Sequence, residues 1–245
     1  MEAAPSPSKK SRVSGIPTLA CAPEKCTLVY WDIRGLAQAC RYALVYAGVD
    51  FDDVRIDPGD PEAADYKQSW FAHKQDVGIT FANLPYLIDE DVAIPQSNAI
   101  LRHVCRKHGL IAETLQASAQ NDAILDQLCD FDSVMTRMCY GNFAAKDDWV
   151  ACTMKPNLEK FNAVLAKGGK SWFGGDTIGS ADFKAYEEFD KCKIIAPEAC
   201  ADWPATLPAL NSFMERFAAI PKIAEYLSSP RFKARPLNNK HAQFK

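Results

Sequence analysis

Two kinds of periodicity divide the chain of 245 residues. Between residues 26 and 108, short strand-like runs alternate with helical ones. Strands are predicted at 26–31 and 51–56 and, as a close pair around the turn 89–91, within PYLIDEDVAI (85–94). Helices are predicted from about Leu36 onward and from Ser97 to about His108. The resulting order of strand, helix, strand, loop, two strands and helix predicts one small mixed sheet with helices packed on it.

The second half of the chain has a different pattern. After residue 114 no convincing strand appears, and helical periodicity recurs in the segments 115–144, 151–169, 180–195, 207–220 and 221–229. Glycines and prolines lie between these segments, where helices are expected to begin and end. We therefore expect an α/β domain over residues 26–110, a linker over 111–114 and an all-helical domain over 115–245.

The first 25 residues are rich in proline, serine and alanine and have no periodicity, which predicts a disordered extension. A targeting peptide is the alternative, suggested by the basic residues Lys9, Lys10 and Arg12. Glu2 and the missing amphipathic pattern weaken it. A cytoplasmic location is expected, with organelle targeting left open by this extension.

Bulk charge and cysteine content exclude several classes of function. The formal net charge is −3 and no basic stripe is present, which argues against nucleic acid as a partner. No apolar run approaches the roughly 18 residues of a membrane-spanning helix. The nine cysteines include no CxxC pair, and the four histidines have no metal-ligand spacing. These patterns argue against a disulfide framework and a metal site, and they fit a reducing cytosol.

Candidate binding residues lie at the ends of elements in the first domain. Tyr30 is placed at the carboxyl end of a strand, where ligands of α/β sheets tend to bind. Ser97 is predicted as the N-cap of a helix whose free N–H groups favour a carboxylate. Trp70 and Lys74, four residues apart on one predicted helical face, are candidates for a second carboxylate. The Leu84–Pro85 peptide is a candidate for the cis form. Together these features predict a groove for an extended small molecule with two carboxylates.

The chain resembles the cytosolic glutathione transferases, and specifically their mu class. The motifs that carry the resemblance are YWDIRGLAQ (30–38), NLPYLID (83–89), QSNAIL (96–101), RKH (106–108) and SADF (180–183). The similarity extends from about Cys26 to Arg235. It implies a thioredoxin-like α/β domain that binds glutathione, followed by an all-α domain that completes the site for a hydrophobic electrophile. No cofactor is implied, since reduced glutathione is a co-substrate.

The resemblance also assigns roles to individual residues. Tyr30 matches the catalytic tyrosine whose hydroxyl donates a hydrogen bond to the glutathione sulfur, and Tyr140 matches a tyrosine on the electrophile side. A donor to the sulfur favours the thiolate, which a free thiol with a pKa of about 8.5 seldom forms at neutral pH. The glutathione-binding positions are Trp31, Leu36, Trp70, Lys74, Asn83, Leu84, Gln96, Ser97 and, for the glutathione of the partner subunit, Asp130. Phe81 and Arg106 match residues at the interface of a homodimer.

Some positions depart from the family pattern. Lys67 replaces an arginine in the loop before Trp70, and Gly179 stands where Ser or Thr usually caps a helix. Asn238 and Asn239 are expected to make the electrophile pocket more polar, or to leave it open. The residues leave two alternatives to a transferase: a carrier of hydrophobic ligands, or a glutathione-dependent isomerase similar to prostaglandin synthases. Tyr30 favours an enzyme over a carrier, and the lack of a cysteine at 30–32 disfavours a thiol transferase based on cysteine.

Overall fold

The computed structural model describes residues 15–20, 23–112, 114–167 and 171–245. In the first part of the chain the elements are β1 (Cys26–Trp31), α1 (Gln38–Ala47), β2 (Phe51–Ile56), α2 (Gln68–Phe71), β3 (Tyr86–Asp89), β4 (Val92–Pro95) and α3 (Ser97–Lys107). The strands form one sheet in the order β2-β1-β3-β4. β1 is parallel to β2 and antiparallel to β3, so the sheet is mixed, as predicted.

The second part of the chain is helical. It contains α4 (Leu115–Gly141), a 3₁₀ turn (Phe143–Ala145), α5 (Lys146–Trp149), a π turn (Val150–Met154), α6 (Lys155–Lys167), α7 (Ser180–Ile195), α8 (Pro197–Cys200), α9 (Trp203–Thr206), α10 (Pro208–Ala218) and α11 (Pro221–Ser228). The five predicted helical segments are confirmed. Division of the chain at the linker 111–114 stays a prediction. None of the described helices combines the length and apolarity that crossing a bilayer requires.

The predicted extension, residues 1–25, lies partly outside the described residues. We call residues 15–20, which are described, the N-terminal strap. Ile16 of the strap packs against the hydrophobic core. The predicted start of α1 is two residues too early, because residues 35–37 form a turn and the helix begins at Gln38.

Buried ion pairs join the two halves of the molecule. The guanidinium of Arg34, in the turn after β1, donates to both carboxylate oxygens of Glu187 on α7, at 3.1 and 2.5 Å, and contacts Asp190 at 2.7 Å. Arg34 and Glu187 are almost fully buried. A charge pair removed from water needs such geometry, because desolvation otherwise exceeds the attraction. The turn after Tyr30 is therefore fixed against the helical half.

The N-terminus of α7 is capped by a neighbouring helix. Gly179 is the N-cap and has no side chain to offer, but Oδ1 of Asn121 on α4 accepts from the Ala181 N–H at 3.2 Å. A Cβ on residue 179 would lie 2.7 Å from that same Oδ1. The carboxylate of Asp182 accepts from the N–H groups of Gly179 and Phe173, both at 2.8 Å. Asn121 therefore supplies the acceptor that the family's Ser or Thr would provide.

Removal of this external cap is expected to cost stability. Asn121→Ala should lower the free energy of unfolding by about 1 kcal/mol, the usual effect of losing an N-cap acceptor. Chemical denaturation followed by circular dichroism measures this. Adding Gly179→Ser to Asn121→Ala should restore part of the loss, because the clash is then gone. An additional loss in the double variant would contradict the capping role of Asn121.

Candidate active site

Tyr30 lies at the carboxyl end of β1, and its side chain is 6% exposed. Its hydroxyl oxygen accepts a hydrogen bond from the backbone N–H of Leu36 at 3.2 Å. Because the oxygen is the acceptor in this contact, the hydroxyl proton is free to be donated elsewhere. Tyr30 can thus present an O–H donor whose direction is fixed by the turn.

The turn around Tyr30 requires a glycine. Gly35 has φ +43°, and a Cβ there would lie 2.6 Å from the Tyr30 hydroxyl oxygen. Any other residue would displace the tyrosine ring or the turn. The sequence DIRGLA after the strand therefore determines where the hydroxyl lies.

Burial raises the pKa of Tyr30 to about 12, although the Leu36 N–H acts in the opposite direction. An unperturbed tyrosine has a pKa of about 10. The hydroxyl therefore keeps its proton throughout the neutral and mildly alkaline range. It can act as a hydrogen-bond donor to an anion, and it is not itself a base at those pH values.

The C-terminal tail, residues 230–245, connects this turn to Tyr140 on α4. The N–H groups of Arg34 and Gly35 donate to the carbonyl oxygens of Pro236 and Leu237, both at 3.0 Å. Two residues further on, the Asn239 N–H donates to the Tyr140 hydroxyl oxygen at 2.8 Å. The tail therefore links the turn after Tyr30 to Tyr140.

The tail contacts both Tyr140, which is half-buried, and the loop before α2. Asn239 is 5% exposed, and its Oδ1 accepts from the hydroxyl of Tyr66 at 3.3 Å. The amide of Asn238 donates to the Phe244 carbonyl oxygen. Both amides are engaged within the tail or with the loop before α2, and the expectation of a more polar or open electrophile pocket stays a prediction. Burial also raises the pKa of Tyr140, which keeps its own proton to donate.

The predicted γ-glutamyl end lies at the start of α3. The N-cap there is Gln96, with φ 75°, and Ser97 is the first helical residue, so the prediction of Ser97 as N-cap is wrong. The helix thus begins one residue earlier than the sequence pattern suggests: Gln96 has non-helical backbone angles, and Ser97 is already helical. No side chain caps this helix. Its first N–H groups and the positive end of its dipole therefore suit an added carboxylate.

Asn83 and Leu84 lie just before β3. The amide oxygen of Asn83 accepts from the Leu84 N–H at 3.0 Å, so this side chain shapes the local backbone. The Leu84–Pro85 peptide is cis, as proposed from the sequence.

The residues proposed for the glycine end occupy α2 and the turns after it. Trp70 is buried on α2, but Lys74 lies beyond the helix, which ends at Phe71. A single helical face holding both residues is therefore not observed. Lys67 is the N-cap of α2, and its ammonium lies 4.9 Å from the centroid of the Tyr66 ring. Trp31 ends β1, and the Leu36 side chain is 41% exposed.

Three of the predicted residues, those for the dimer interface and the partner's glutathione, are exposed at the surface. Phe81 is 86% exposed at φ 58°, and Asp130 and Arg106 are also exposed. Among the residues described, no group of three or more His, Cys, Asp or Glu side chains is placed to hold a metal ion.

Sequence reasoning missed a set of four charged side chains between α4 and α7, which we call the buried ion cluster: Asp132, Lys184, Glu188 and Lys191. Both ammonium groups contact both carboxylates at 2.7–3.1 Å, and all four side chains are at most 7% exposed. Burial raises the pKa of Glu188, whereas the two ammonium groups outweigh burial at Asp132 and hold its pKa well below the usual range. A signal was present, since the spacing of 184, 188 and 191 places these charges on one helical face.

Comparisons with known proteins agree with this geometry. Residues 26–106 match the family model of the glutathione S-transferase N-terminal domain, and residues 129–230 match that of the C-terminal domain. The chain belongs to the glutathione S-transferase family.

Relatives within the family place the chain in the mu class. It is 39% identical to human glutathione S-transferase Mu 3, covering 89% of this chain and 94% of that protein. It is 37% identical to mouse glutathione S-transferase Mu 2, covering 88% and 96%. A solved Pi-class transferase from Onchocerca volvulus has a TM-score of 0.78 at 31% identity, covering 89% of this chain and all of that one. The identities to Mu-class relatives are higher, and this transferase is accordingly assigned to that class.

Proposed function

We propose that this chain activates reduced glutathione with the Tyr30 hydroxyl and conjugates the thiolate to hydrophobic electrophiles. The observation that carries the proposal is the buried hydroxyl of Tyr30, which accepts from Leu36 N–H and keeps its own proton for the sulfur. Electrophile and thiolate are held together, so orientation adds to the reactivity of the nucleophile. The named relatives are transferases, and none of those names points to a carrier or an isomerase.

Titration of bound glutathione tests this proposal directly. An ultraviolet difference spectrum should show the thiolate of bound glutathione well below pH 8.5, the approximate pKa of a free thiol. A thiol that ionises as it does in water would contradict activation and would favour the carrier.

In this proposal, the tripeptide runs along the edge of the site. The γ-glutamyl carboxylate binds the N-terminus of α3 with Gln96 and Ser97, and the cysteinyl backbone binds beside Asn83 and Leu84. The glycyl carboxylate binds Trp70 and Lys74, while Trp31 and Leu36 line the middle. The electrophile binds beside Tyr140, whose hydroxyl has a proton to donate.

We expect Ser97→Ala to weaken glutathione binding. A hydrogen bond to a charged group contributes about 1.5–3 kcal/mol, which corresponds to a dissociation constant raised about tenfold or more. Isothermal calorimetry measures it, with Ser228→Ala on the exposed face of α11 as a control that should leave binding unchanged. An unaltered dissociation constant in Ser97→Ala would contradict the assignment of the γ-glutamyl carboxylate to the N-terminus of α3.

A C2 homodimer in the cytoplasm completes the proposal. The side chain of Phe81, 86% exposed, would insert between helices of the partner, and Arg106 would lie near the two-fold axis. Asp130 would reach the glutathione of the partner subunit. Sedimentation equilibrium tests the assembly, and a monomer at micromolar concentration would contradict it. Neither nucleic acid nor membrane is proposed as a partner, and no cofactor is proposed beyond glutathione as co-substrate.

A further inference from the structure

The N-terminal strap, residues 15–20, precedes the part of the chain that matches the family model, which begins at residue 26. The strap nevertheless packs on the first domain. Ile16 contacts the hydrophobic core, and Pro17, Thr18 and Leu19 are half-buried. Two of its polar contacts to described residues reach the region that carries Trp70 and Lys74.

One contact fixes the end of the turns that follow α2. The Leu19 N–H donates to the Val77 carbonyl oxygen at 3.0 Å, and Val77 is fully buried. Residues 72–80 form neither helix nor strand. Within the described part of the chain, this is the one backbone hydrogen bond that joins residues 72–80 to anything outside residues 68–80. A segment with so few bonds depends strongly on each of them.

The other contact acts on Trp70, just before residues 72–80, through the side chain of Tyr86. The hydroxyl of Tyr86 on β3 donates to the Pro17 carbonyl oxygen at 2.7 Å. The buried Tyr86 ring packs on the Trp70 ring, with centroids 5.9 Å apart. The strap therefore acts on Trp70 through Tyr86 and on Val77 directly, and Lys74 lies between these two points.

We propose that the N-terminal strap positions the glycine end of the glutathione site. The inference rests on the proposed assignment of Trp70 and Lys74 to the glycyl carboxylate. Without the strap, the segment from Trp70 to Val77 samples more arrangements, and the fraction competent to bind falls. The thiol end is unaffected, because Tyr30 is fixed by Leu36 N–H and by its own turn. The strap thus contributes to affinity for glutathione and leaves the reaction of the bound thiolate unchanged.

Two single substitutions in the full chain separate the contacts. Tyr86→Phe removes the donor to Pro17 and keeps the ring on Trp70, and Leu19→Pro removes the N–H that bonds to Val77. Each should raise the dissociation constant of glutathione about five- to tenfold. The kcat at saturating glutathione, with 1-chloro-2,4-dinitrobenzene as electrophile, should stay within about twofold of wild type. Tyr46→Phe is the control, since the Tyr46 ring packs on Phe183, on the side of α1 that faces the helical half.

A second ligand distinguishes positioning from general support of the fold. The dipeptide γ-glutamylcysteine lacks the glycine, so its binding should be the same in wild type and in both variants. Equal losses for glutathione and the dipeptide, or a fall in kcat at saturation, would overturn the inference. Unchanged binding of both ligands would also overturn it.

Lys74→Ala separates this inference from the assignment on which it rests. If Lys74→Ala weakens binding of glutathione but not of γ-glutamylcysteine, the glycine subsite is established; strap variants without effect would then defeat the strap inference alone. If Lys74→Ala leaves glutathione binding unchanged, the subsite assignment fails and the strap inference fails with it.

Discussion

Tyr30→Phe is expected to lower kcat by about 10²-fold or more, the usual effect of losing a group that assists proton chemistry at the reacting atom. The ring can remain in place, since the hydroxyl is the only group removed. Glutathione affinity should stay near wild type, because the proposed carboxylate sites lie at the start of α3 and at Trp70 and Lys74, away from the hydroxyl that is removed.

The loss of rate in Tyr30→Phe should depend on pH. With the donor removed, the pKa of the bound thiol should rise toward its value in water. Each pKa unit of that rise corresponds to a loss of about 1.4 kcal/mol in the stabilisation of the thiolate relative to the thiol. The pH at which kcat/KM reaches its plateau should therefore be higher in Tyr30→Phe, and the rate difference should narrow in alkaline solution. The Tyr30 hydroxyl, with its pKa near 12, does not titrate in that range.

A matched control is Tyr42→Phe on α1. The Tyr42 hydroxyl is buried and has no hydrogen-bond partner among the described residues, so its removal should leave the kinetics unchanged. If Tyr30→Phe turned over as fast as this control, Tyr30 would not be the activating group.

The second large effect concerns the buried ion cluster. Asp132→Asn removes a buried carboxylate that both Lys184 and Lys191 contact, and removal of one partner of such a pair costs about 3–5 kcal/mol. Because whole domains are stable by only about 5–15 kcal/mol, we expect a marked fall in the denaturation midpoint. Guanidinium titration followed by circular dichroism measures it.

Restoration of the charge balance should recover much of this loss. Asp132→Asn combined with Lys191→Met leaves Lys184 paired with Glu188 at 2.7 Å. The folded-state pKa of Asp132 is depressed, so its contribution is complete above the unfolded pKa of about 3.9 and declines as the pH falls below that value. A loss under about 1 kcal/mol for Asp132→Asn at neutral pH, or no recovery in the double variant, would contradict the assigned role.

Local patterns were sufficient for the longer regular elements. Strands β1 and β2 have the predicted bounds, and the five predicted helical segments of the second half are all helical, whereas the four-residue helices α5, α8 and α9 were not predicted. The start of α1 was predicted too early because residues 35–37 serve contacts made elsewhere: Leu36 N–H binds Tyr30, and Gly35 N–H binds the tail. A helical pattern contains no information on such contacts.

The roles of the site residues were predicted from the family resemblance. That resemblance could not predict contacts that are made by segments particular to this chain. The tail differs from the family pattern, so only the structure could show Asn239 bonded to Tyr140. The strap has no counterpart in the family model, and its bond to Val77 joins residues 58 positions apart. The charges on α7 were not singled out from the sequence, because their partner Asp132 lies on α4, far away in the chain.

The bonds between the Tyr30 turn and the tail have a consequence for the order in which the enzyme is made. Synthesis proceeds from the amino end, and domains generally fold as they emerge. Arg34 and Gly35 are translated early, whereas their acceptors, Pro236 and Leu237, follow about 200 codons later. A nascent chain can therefore complete its sheet long before this turn is closed. The turn after Tyr30 therefore reaches its closed form only after residues 236 and 237 have been made.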